Sequence, residues 1–261
     1  EIGRGARAVV DAGVIERYGI REIYGAHDEP SLEKGVFGLR PGPAQASTDF
    51  FYITVKGRGV HAARPHLGVD PIPAAGLLIG ALQTIVSRKV DPVEPAVLSI
   101  SSVNGGRFHT PNVIPGEVTL SGTVRTFSEP VRQQIEREMA RIVKTVAESE
   151  GCEAELAYDR LVPALINRPE CVAHVRDFIT RRFGESAAGE VAISMGGEDF
   201  AEYFFRIPGA MVRVGVRDEA HGATLHHPTF DFNDEVIPAA ATMLAGVALE
   251  RLAALSGASA C

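Results

Sequence analysis

The chain has 261 residues, of which 45% are hydrophobic and 23% charged, and its formal net charge is −7. This length allows one large domain or two ordinary ones. An acidic balance without a basic tract argues against nucleic acid or anionic lipid as the main partner. No apolar run approaches the roughly 20 residues that cross a bilayer, so we expect no membrane partner. Three widely spaced cysteines argue against a disulfide framework and favour the cytoplasm.

The first residues carry neither an initiator Met nor the basic-then-apolar pattern of a signal peptide. They read as the lead-in to a helix, which the pattern places at residues 5–16. An apolar strand then runs from Ile20 to a histidine at His27, and Val36 to Leu39 forms another short strand. The breaker Pro41-Gly42-Pro43 is a plausible domain boundary. Together with the motifs below, this beginning leads us to expect a chain that starts in mid-domain.

The middle of the chain has a regular βαββαβ pattern. Alternating apolar residues predict strands around 51–55, 97–103, 118–124 and 154–158. Apolar residues at helical spacing predict helices over 70–88 and 130–149. This order is that of the ferredoxin-like unit. We therefore assign residues 49–161 to one inserted ferredoxin-like domain.

After Pro163 the pattern changes to helix, short strand, loop, strand, loop and long C-terminal helix. Alternating helices and strands are typical of an α/β layer fold. The sequence thus predicts an α/β protein in which residues 1–48 and 162–261 form parts of one domain, interrupted by the ferredoxin-like unit.

Histidines are the first candidates for chemistry, because neutral imidazole is the commonest metal ligand. His27, His61 and His226 are each predicted at a strand end or in a loop, where sites are built on α/β scaffolds. His109 and His174 lack such a context and are better explained as structural or surface residues.

Two further features suit a substrate carboxylate. Gly196 and Gly197, in the segment that joins a strand to a helix, expose backbone N–H groups that could cradle an anion. An ordinary Gly turn with acidic helix-capping residues explains the same segment equally well. Arg125 is a candidate clamp because guanidinium binds carboxylate with two parallel hydrogen bonds. A surface salt bridge is the commoner role of such an arginine.

Six motifs in a fixed order carry a family resemblance. They are Gly25-Ala26-His27, Gly59-Val60-His61-Ala62-Ala63-Arg64-Pro65, Asn112-Val113-Ile114-Pro115, Gly122-Thr123-Val124-Arg125-Thr126-Phe127, Gly196-Gly197-Glu198-Asp199-Phe200 and Leu225-His226-His227-Pro228. Together they resemble the aminoacylase and hippurate hydrolase branch of the two-metal peptidase and amidohydrolase family, which includes carboxypeptidase G-type enzymes. The resemblance covers nearly the whole chain. It implies a partial metallopeptidase-type α/β/α domain with an inserted ferredoxin-like dimerisation domain.

The resemblance also implies roles for individual residues. The metal ligands would be Glu1, His27 and His226, holding two divalent ions, most readily zinc or manganese. The residues that reach the partner subunit's active site and polarise the scissile carbonyl would be His61 and Asn112. The binders of the substrate carboxylate would be Arg125 and the backbone of Gly196 and Gly197. The protein would act as a homodimer joined through the inserted domain.

One departure from the family is large. The Cys-Gly-His-Asp segment, which supplies further ligands including the metal bridge, has no counterpart here. Glu1, His27 and His226 provide three ligands in total, whereas each metal normally needs three or four. The general base would be the residue before Glu1. We therefore expect the metal site to be incomplete in this chain, and the chain to be inactive as it stands.

The predicted reaction is hydrolysis of the amide bond of a small N-acyl amino acid, of the hippurate or N-acetyl type, by the intact parent protein. Two alternatives within the same class are a metallo-carboxypeptidase or dipeptidase and a carbamoyl-amino-acid hydrolase. An alternative of a different class is a non-catalytic dimerisation and binding module.

Overall fold

A computed structural model describes residues 4–257, so Glu1 lies outside the described residues. The chain alternates between two compact units. The ferredoxin-like unit comprises Gln45–Ala164 and Met195–Glu198. The α/β unit comprises Arg4–Ala44, Leu165–Ser194 and the described residues from Asp199 onward.

The described chain begins with two short helices, α1 (Arg4–Asp11) and α2 (Val14–Tyr18). The sequence predicts a single helix over residues 5–16, and this prediction is wrong. Gly13, between the two helices, has a φ of 68°, a left-handed conformation that is open to glycine and ends the helical run. Three strands follow, β1 (Ile23–Glu33), β2 (Phe37–Leu39) and β3 (Gly42–Gln45).

The ferredoxin-like unit contains the predicted βαββαβ order. Its elements are β4 (Thr48–Lys56), β5 (Val60–His61), α3 (Pro71–Arg88), β6 (Ala96–Gly105), β7 (Val113–Ile114), β8 (Glu117–Thr126), α4 (Glu129–Ser149) and β9 (Glu153–Val162). Four of the strands form one sheet in the order β6-β8-β4-β9, and all neighbours are antiparallel. The remaining two, β5 and β7, pair as a small antiparallel ribbon that the sequence did not predict.

Local sequence explains where the helices of this unit begin and what they bury. Asp70 caps α3 by accepting a hydrogen bond from the backbone N–H of Ile72 at 3.0 Å, and Pro71 occupies the first helical position, where no N–H is needed. The apolar stripes of both helices pack against one face of the sheet, as their spacing predicts. The fully buried members of this core include Leu78, Leu82, Ile135, Met139, Phe51, Ile53 and Leu120.

A buried ion pair lies at the start of β4. Asp49 is fully buried and binds the guanidinium of Arg132, which is itself 5% exposed. The hydroxyl of Tyr158 donates to the same carboxylate at 2.8 Å. Burial, together with the neighbouring Asp49 carboxylate, raises the pKa of Tyr158. Because both charges are paired and hydrogen-bonded, this network fixes one end of the strand.

The α/β unit is completed by β10 (Leu165–Asn167), α5 (Pro169–Phe183), β11 (Ala188–Glu190), β12 (Gly209–Arg217) and α6 (Ile237–Gly257). Its main sheet has the order β1-β12-β2-β11, and β3 pairs with β10. Helices α5 and α6 cover this sheet with a second core. The most buried members of that core include Val175, Ile179, Met243, Val247, Phe37, Leu39, Ala210 and Val212.

Strand β1 continues six residues beyond His27, so the prediction that the strand ends at His27 is wrong. The segment Asp28-Glu29-Pro30 looks like a strand breaker in the sequence. The pairing of β1 with β12 shifts register between Glu29 and Glu33. Pro30 lies within this irregularity, where the regular ladder of hydrogen bonds is already interrupted and a proline is accommodated. His27 therefore lies within the strand, paired with Arg213.

Helix α6 corrects a second expectation. The segment Asp234–Ser256 is long and apolar enough to cross a membrane by length and composition alone, with a mean hydropathy of 1.5. The expectation that no apolar run approaches this length is wrong, because alanines keep the hydropathy high between the larger apolar residues. Met243 and Val247 of this helix are buried in the core of the α/β unit.

Candidate functional site

The predicted site residues divide between the two units. The ferredoxin-like unit contains His61, Asn112, Arg125, Gly196 and Gly197, and the α/β unit contains His27 and His226. Glu1, the third predicted metal ligand, is outside the described residues.

His61 and Asn112 come together on the small ribbon of the ferredoxin-like unit. His61 pairs with Val113 across the ribbon, and the backbone N–H of Ala62 donates to the carbonyl of Asn112 at 2.9 Å. Both side chains are exposed. This backbone pairing links the segments that carry the exposed imidazole and the exposed carboxamide, which are two donors suited to a carbonyl oxygen.

The His61 ring has a defined tautomer in its neutral form. Its Nδ1 atom accepts a hydrogen bond from the backbone N–H of Ala63 at 3.1 Å. An Nδ1 atom that accepts must be unprotonated, so the proton of the neutral ring lies on Nε2. His61 therefore presents a hydrogen-bond donor at its outer nitrogen.

Arg125 lies near the end of β8 and is held by two threonines. Its Nη1 atom donates to Thr48 Oγ1, and its Nε atom donates to Thr123 Oγ1 at 3.2 Å. Gly197 lies directly against this group. A Cβ atom at Gly197 would collide with Thr48 Oγ1 and would approach Arg125 Nη1 to 3.3 Å. The structure thus brings the predicted clamp and the predicted glycine cradle together within one unit.

His27 has the opposite tautomer from His61. Its Nδ1 atom lies 2.8 Å from the backbone carbonyl of Asp28 and 2.9 Å from Asp28 Oδ1. Both oxygens are acceptors, so Nδ1 carries the proton and the lone pair lies on Nε2. A histidine whose second nitrogen is bonded to a carbonyl or carboxylate in this way is the usual form of a metal-binding imidazole.

His226 has a strained backbone. Its φ is 64°, and it is the one non-glycine residue with positive φ among residues 4–257. Left-handed backbone in a residue with a Cβ costs about 1–2 kcal/mol and concentrates at functional sites. The ring of the neighbouring His227, which is exposed, bonds within its own loop, where its Nδ1 atom accepts from the backbone N–H of Thr229 at 3.2 Å. This contrast favours His226 as the functional member of the pair.

The loop that carries His226 is closed at its base by residues that the sequence analysis missed. Asn233 is fully buried and donates to Asp218 Oδ2 at 2.8 Å and to the carbonyl of Val216 at 3.2 Å. The Asp218 carboxylate also accepts from the backbone N–H and the ring of His221. These bonds, above all that from the His221 ring, hold the pKa of Asp218 well below its usual range. The only sequence feature that could have indicated this loop closure is Asn233, whose residue type is common at the N-cap of a helix.

Asp199 is a helix-capping residue, as the interpretation of its segment as a Gly turn with acidic helix caps predicts. Its Oδ2 atom accepts from the backbone N–H of Ala6 at 3.0 Å, so the carboxylate caps the beginning of helix α1. A Cβ atom at Gly5 would lie 3.0 Å from the same oxygen. The acidic residue is therefore a helix cap, although for a helix remote in the sequence.

The described residues do not by themselves fit a complete metal site. His27 has the tautomer that a metal requires, but no group of three or more His, Cys, Asp or Glu side chains within the described part of the chain could hold an ion. A site with three or four ligands per metal needs donors beyond these.

Comparison with known proteins identifies the family. Residues 1–250 match peptidase family M20/M25/M40. The N-acetylcysteine deacetylase of Bacillus subtilis is 36% identical over 249 residues, which is 95% of this chain and 63% of the deacetylase. A crystal structure from methicillin-resistant Staphylococcus aureus superimposes with a TM-score of 0.86 at 31% identity, over 94% of this chain and 62% of that one.

A second solved structure is the YXEP protein of Bacillus subtilis, described as a dinuclear metal-binding peptidase of the M20 family. It superimposes with a TM-score of 0.79 at 33% identity, over 96% of this chain and 62% of that one. The chain thus spans slightly less than two thirds of the length of these relatives. The mixed α/β fold and the predicted family are both confirmed. The chain belongs to peptidase family M20/M25/M40.

Proposed function

We propose that the complete protein is a metal-dependent amidohydrolase that cleaves the amide bond of small N-acyl amino acids. The observation that carries the proposal is the arrangement of Arg125, Thr48 and Gly197, which is suited to a substrate carboxylate. The relative named N-acetylcysteine deacetylase supports an N-acyl amino acid as the substrate class.

The carboxylate end of the substrate would bind to Arg125 and to the backbone of Gly196 and Gly197. Guanidinium provides a planar pair of donors that matches a carboxylate. Because Gly197 has no side chain, its backbone can lie close to Arg125. Peptides and N-carbamoyl amino acids also carry this carboxylate, so they remain the alternative substrates.

The scissile carbonyl would accept hydrogen bonds from His61 and Asn112. The Nε2–H of neutral His61 is the donor that this role requires, and it strengthens as negative charge develops on the oxygen. Both side chains are exposed on their own unit, which supports the proposal that they act in the partner subunit of a homodimer.

His27 and His226 would hold a pair of divalent ions, zinc or manganese, together with ligands outside the described residues, Glu1 among them. The dinuclear site in the name of the YXEP protein supports this part of the proposal. Since the described residues alone do not provide a full site, we propose that the 261-residue chain is inactive by itself. Two buried free thiols, Cys152 and Cys171, support a cytoplasmic location.

Carboxylate recognition can be tested on the 261-residue chain without a metal. N-benzoylglycine should shift the Arg125 Nε–H and the Gly196 and Gly197 amide signals in NMR spectra, and its primary amide should not. Arg125→Lys keeps the positive charge but loses the planar pair of donors, so it should weaken binding. Equal binding of the acid and the amide, or unchanged binding by Arg125→Lys, would contradict the proposal.

A further inference from the structure

We propose that Thr48 is a positioning residue for carboxylate recognition, because its hydroxyl fixes the Arg125 guanidinium beside Gly197. The inference rests on the proposed function, since it concerns the same carboxylate site. It adds a residue that lies outside the six motifs and that no sequence pattern singled out.

The hydrogen-bond directions around Arg125 leave little freedom to its guanidinium. Thr123 Oγ1 donates to the backbone carbonyl of Asp49 at 2.9 Å, so its proton is already used. Its lone pairs are then available to the Nε–H of Arg125 at 3.2 Å. Thr48 Oγ1 accepts from the Nη1 atom of the same guanidinium. Two acceptors on two different edges of the guanidinium set both its position and its rotation.

Thr48 is well suited to this role because it is rigid. The residue is 3% exposed, and a β-branched residue in a strand has few rotamers. The next residue along β4, Asp49, is anchored by the buried ion pair with Arg132. The Thr48 hydroxyl therefore has a fixed position. Its hydrogen bond restricts the Arg125 side chain, which would otherwise keep considerable rotamer freedom.

Thr48 also leaves no space for a side chain at position 197. A Cβ atom there would collide with Thr48 Oγ1 and would touch Val162 at 3.2 Å. One hydroxyl thus contacts both partners of the proposed carboxylate site, the guanidinium and the glycine backbone. If Thr48 had only a packing role, its branched shape would be sufficient. A positioning role requires its hydroxyl oxygen, which accepts the hydrogen bond from Arg125.

The test compares substitutions that separate the branched shape of the Thr48 side chain from its hydroxyl oxygen. Thr48→Val keeps the branched shape and removes the hydroxyl, and Thr48→Ser keeps the hydroxyl and removes the methyl group. We expect Thr48→Val to weaken binding of N-benzoylglycine by about tenfold, the value of one charge-assisted hydrogen bond, and Thr48→Ser to bind nearly as wild type. Thr119→Val is the matched control, since Thr119 lies six residues along β8, about 20 Å from Arg125.

Isothermal titration calorimetry of the 261-residue chain measures the binding, and the Arg125 Nε–H resonance without ligand reports the position of the guanidinium. Thr48→Val should shift and broaden this resonance, whereas that of Arg132 stays in place. Wild-type binding by Thr48→Val would overturn the inference, and so would equal losses in Thr48→Val and Thr48→Ser. If Thr48→Val does not fold, weaker binding by Thr48→Ala than by Thr48→Ser supports the inference, and equal binding overturns it.

The same data separate this inference from the proposed function. If Arg125→Lys binds as wild type, the carboxylate site itself is wrong. If Arg125→Lys weakens binding and Thr48→Val does not, the site stands and only the role of Thr48 is refuted.

Discussion

Asn233 donates from its Nδ2 atom to Asp218 Oδ2 at 2.8 Å, and this bond joins the two ends of the loop that carries His226. Asn233→Ala would remove the bond and leave the carbonyl of Val216 without its partner. We expect a loss of about 1–3 kcal/mol in the free energy of unfolding, the usual result for an unsatisfied buried polar group. Proteolysis between residues 219 and 232 should also become faster.

Urea unfolding and limited proteolysis followed by mass spectrometry would measure these two effects. Asn104→Ala is a suitable control, because Asn104 is exposed and its side chain donates to Ser102 of the same strand. If the loop is cut no faster in Asn233→Ala than in this control, Asn233 does not close the loop.

His61→Ala should lower kcat in the complete enzyme by a factor of about 10²–10³ while leaving its metal content unchanged. This is the typical loss when one oxyanion donor is removed. Mixing His61→Ala with His226→Ala subunits should restore part of the activity, because one site in the heterodimer would combine intact metal ligands with an intact His61.

Steady-state kinetics and metal analysis of the separate variants and the mixture would check this prediction. Confirmed heterodimers without recovered activity would exclude action across the dimer. Loss of metal in His61→Ala would instead make His61 a ligand, and a normal kcat would leave it without a catalytic role.

Gly197→Ala should abolish carboxylate binding, because the backbone of residue 197 or the Thr48 side chain must move to make room for the new methyl group. The φ of Gly197 is not in the left-handed region, so the effect comes from the collision of the new methyl group with Thr48 and its approach to Arg125. Gly222→Ala is the control, since a Cβ atom there meets nothing within 4 Å. Calorimetric titration with N-benzoylglycine distinguishes the two variants, and tight binding by Gly197→Ala would refute the proposed cradle.

The purified 261-residue chain should not hydrolyse N-acetyl or N-benzoyl amino acids, even with added zinc or manganese. The reason is that the described residues contain no group of three potential ligands. Release of free amino acid can be followed with a ninhydrin assay. Hydrolysis that a chelator abolishes would contradict the prediction.

The Glu22–Arg251 ion pair should make the stability of the protein depend on pH. Arg251 donates two hydrogen bonds, at 2.8 and 2.6 Å, to Glu22. These bonds lower the pKa of Glu22 from its ordinary value of 4.5. Because the folded pKa is the lower one, the stabilisation is fully present above pH 4.5 and is lost as the pH falls through the folded pKa.

Glu22→Gln should therefore reduce the free energy of unfolding by about 1–3 kcal/mol at pH 7, and the difference should shrink below pH 4.5. Urea unfolding at pH 7, 4.5 and 3 measures it. Glu250→Gln, in the exposed pair with Arg181, should have a much smaller effect at every pH. A Glu22→Gln difference that persists at pH 3 would show that the pair acts through packing and not through charge.

The sequence predicted the ferredoxin-like unit well because its strands and helices have a clean apolar period. The predicted helix over 70–88 is α3 at Pro71–Arg88, and the predicted strand around 118–124 lies within β8. The boundary of β1 was missed because the register shift that accommodates Pro30 is a property of the strand pairing and not of the local sequence.

The candidate site was predicted only where residues belong to recognisable motifs. Arg125 and Gly197 are such residues, and they lie together in the ferredoxin-like unit. Thr48 and Asp218 act through contacts made by folding, and no periodicity or spacing marks them. The tautomers of His27 and His61 likewise depend on backbone neighbours that only the structure supplies.

Strands β3 and β10, which pair with each other, mark the places where the chain leaves the α/β unit at Ala44 and returns to it at Leu165. If the ferredoxin-like unit unfolded while this pair stayed intact, roughly 120 residues would become a closed loop. Closing a loop of that length costs about 4 kcal/mol in chain entropy. When the ferredoxin-like unit is folded, its own structure fixes the two ends of this segment, so the strand pair does not bear the entropic cost. Mutations in the core around Leu82 and Ile135 would therefore also weaken the strand pair in the other unit.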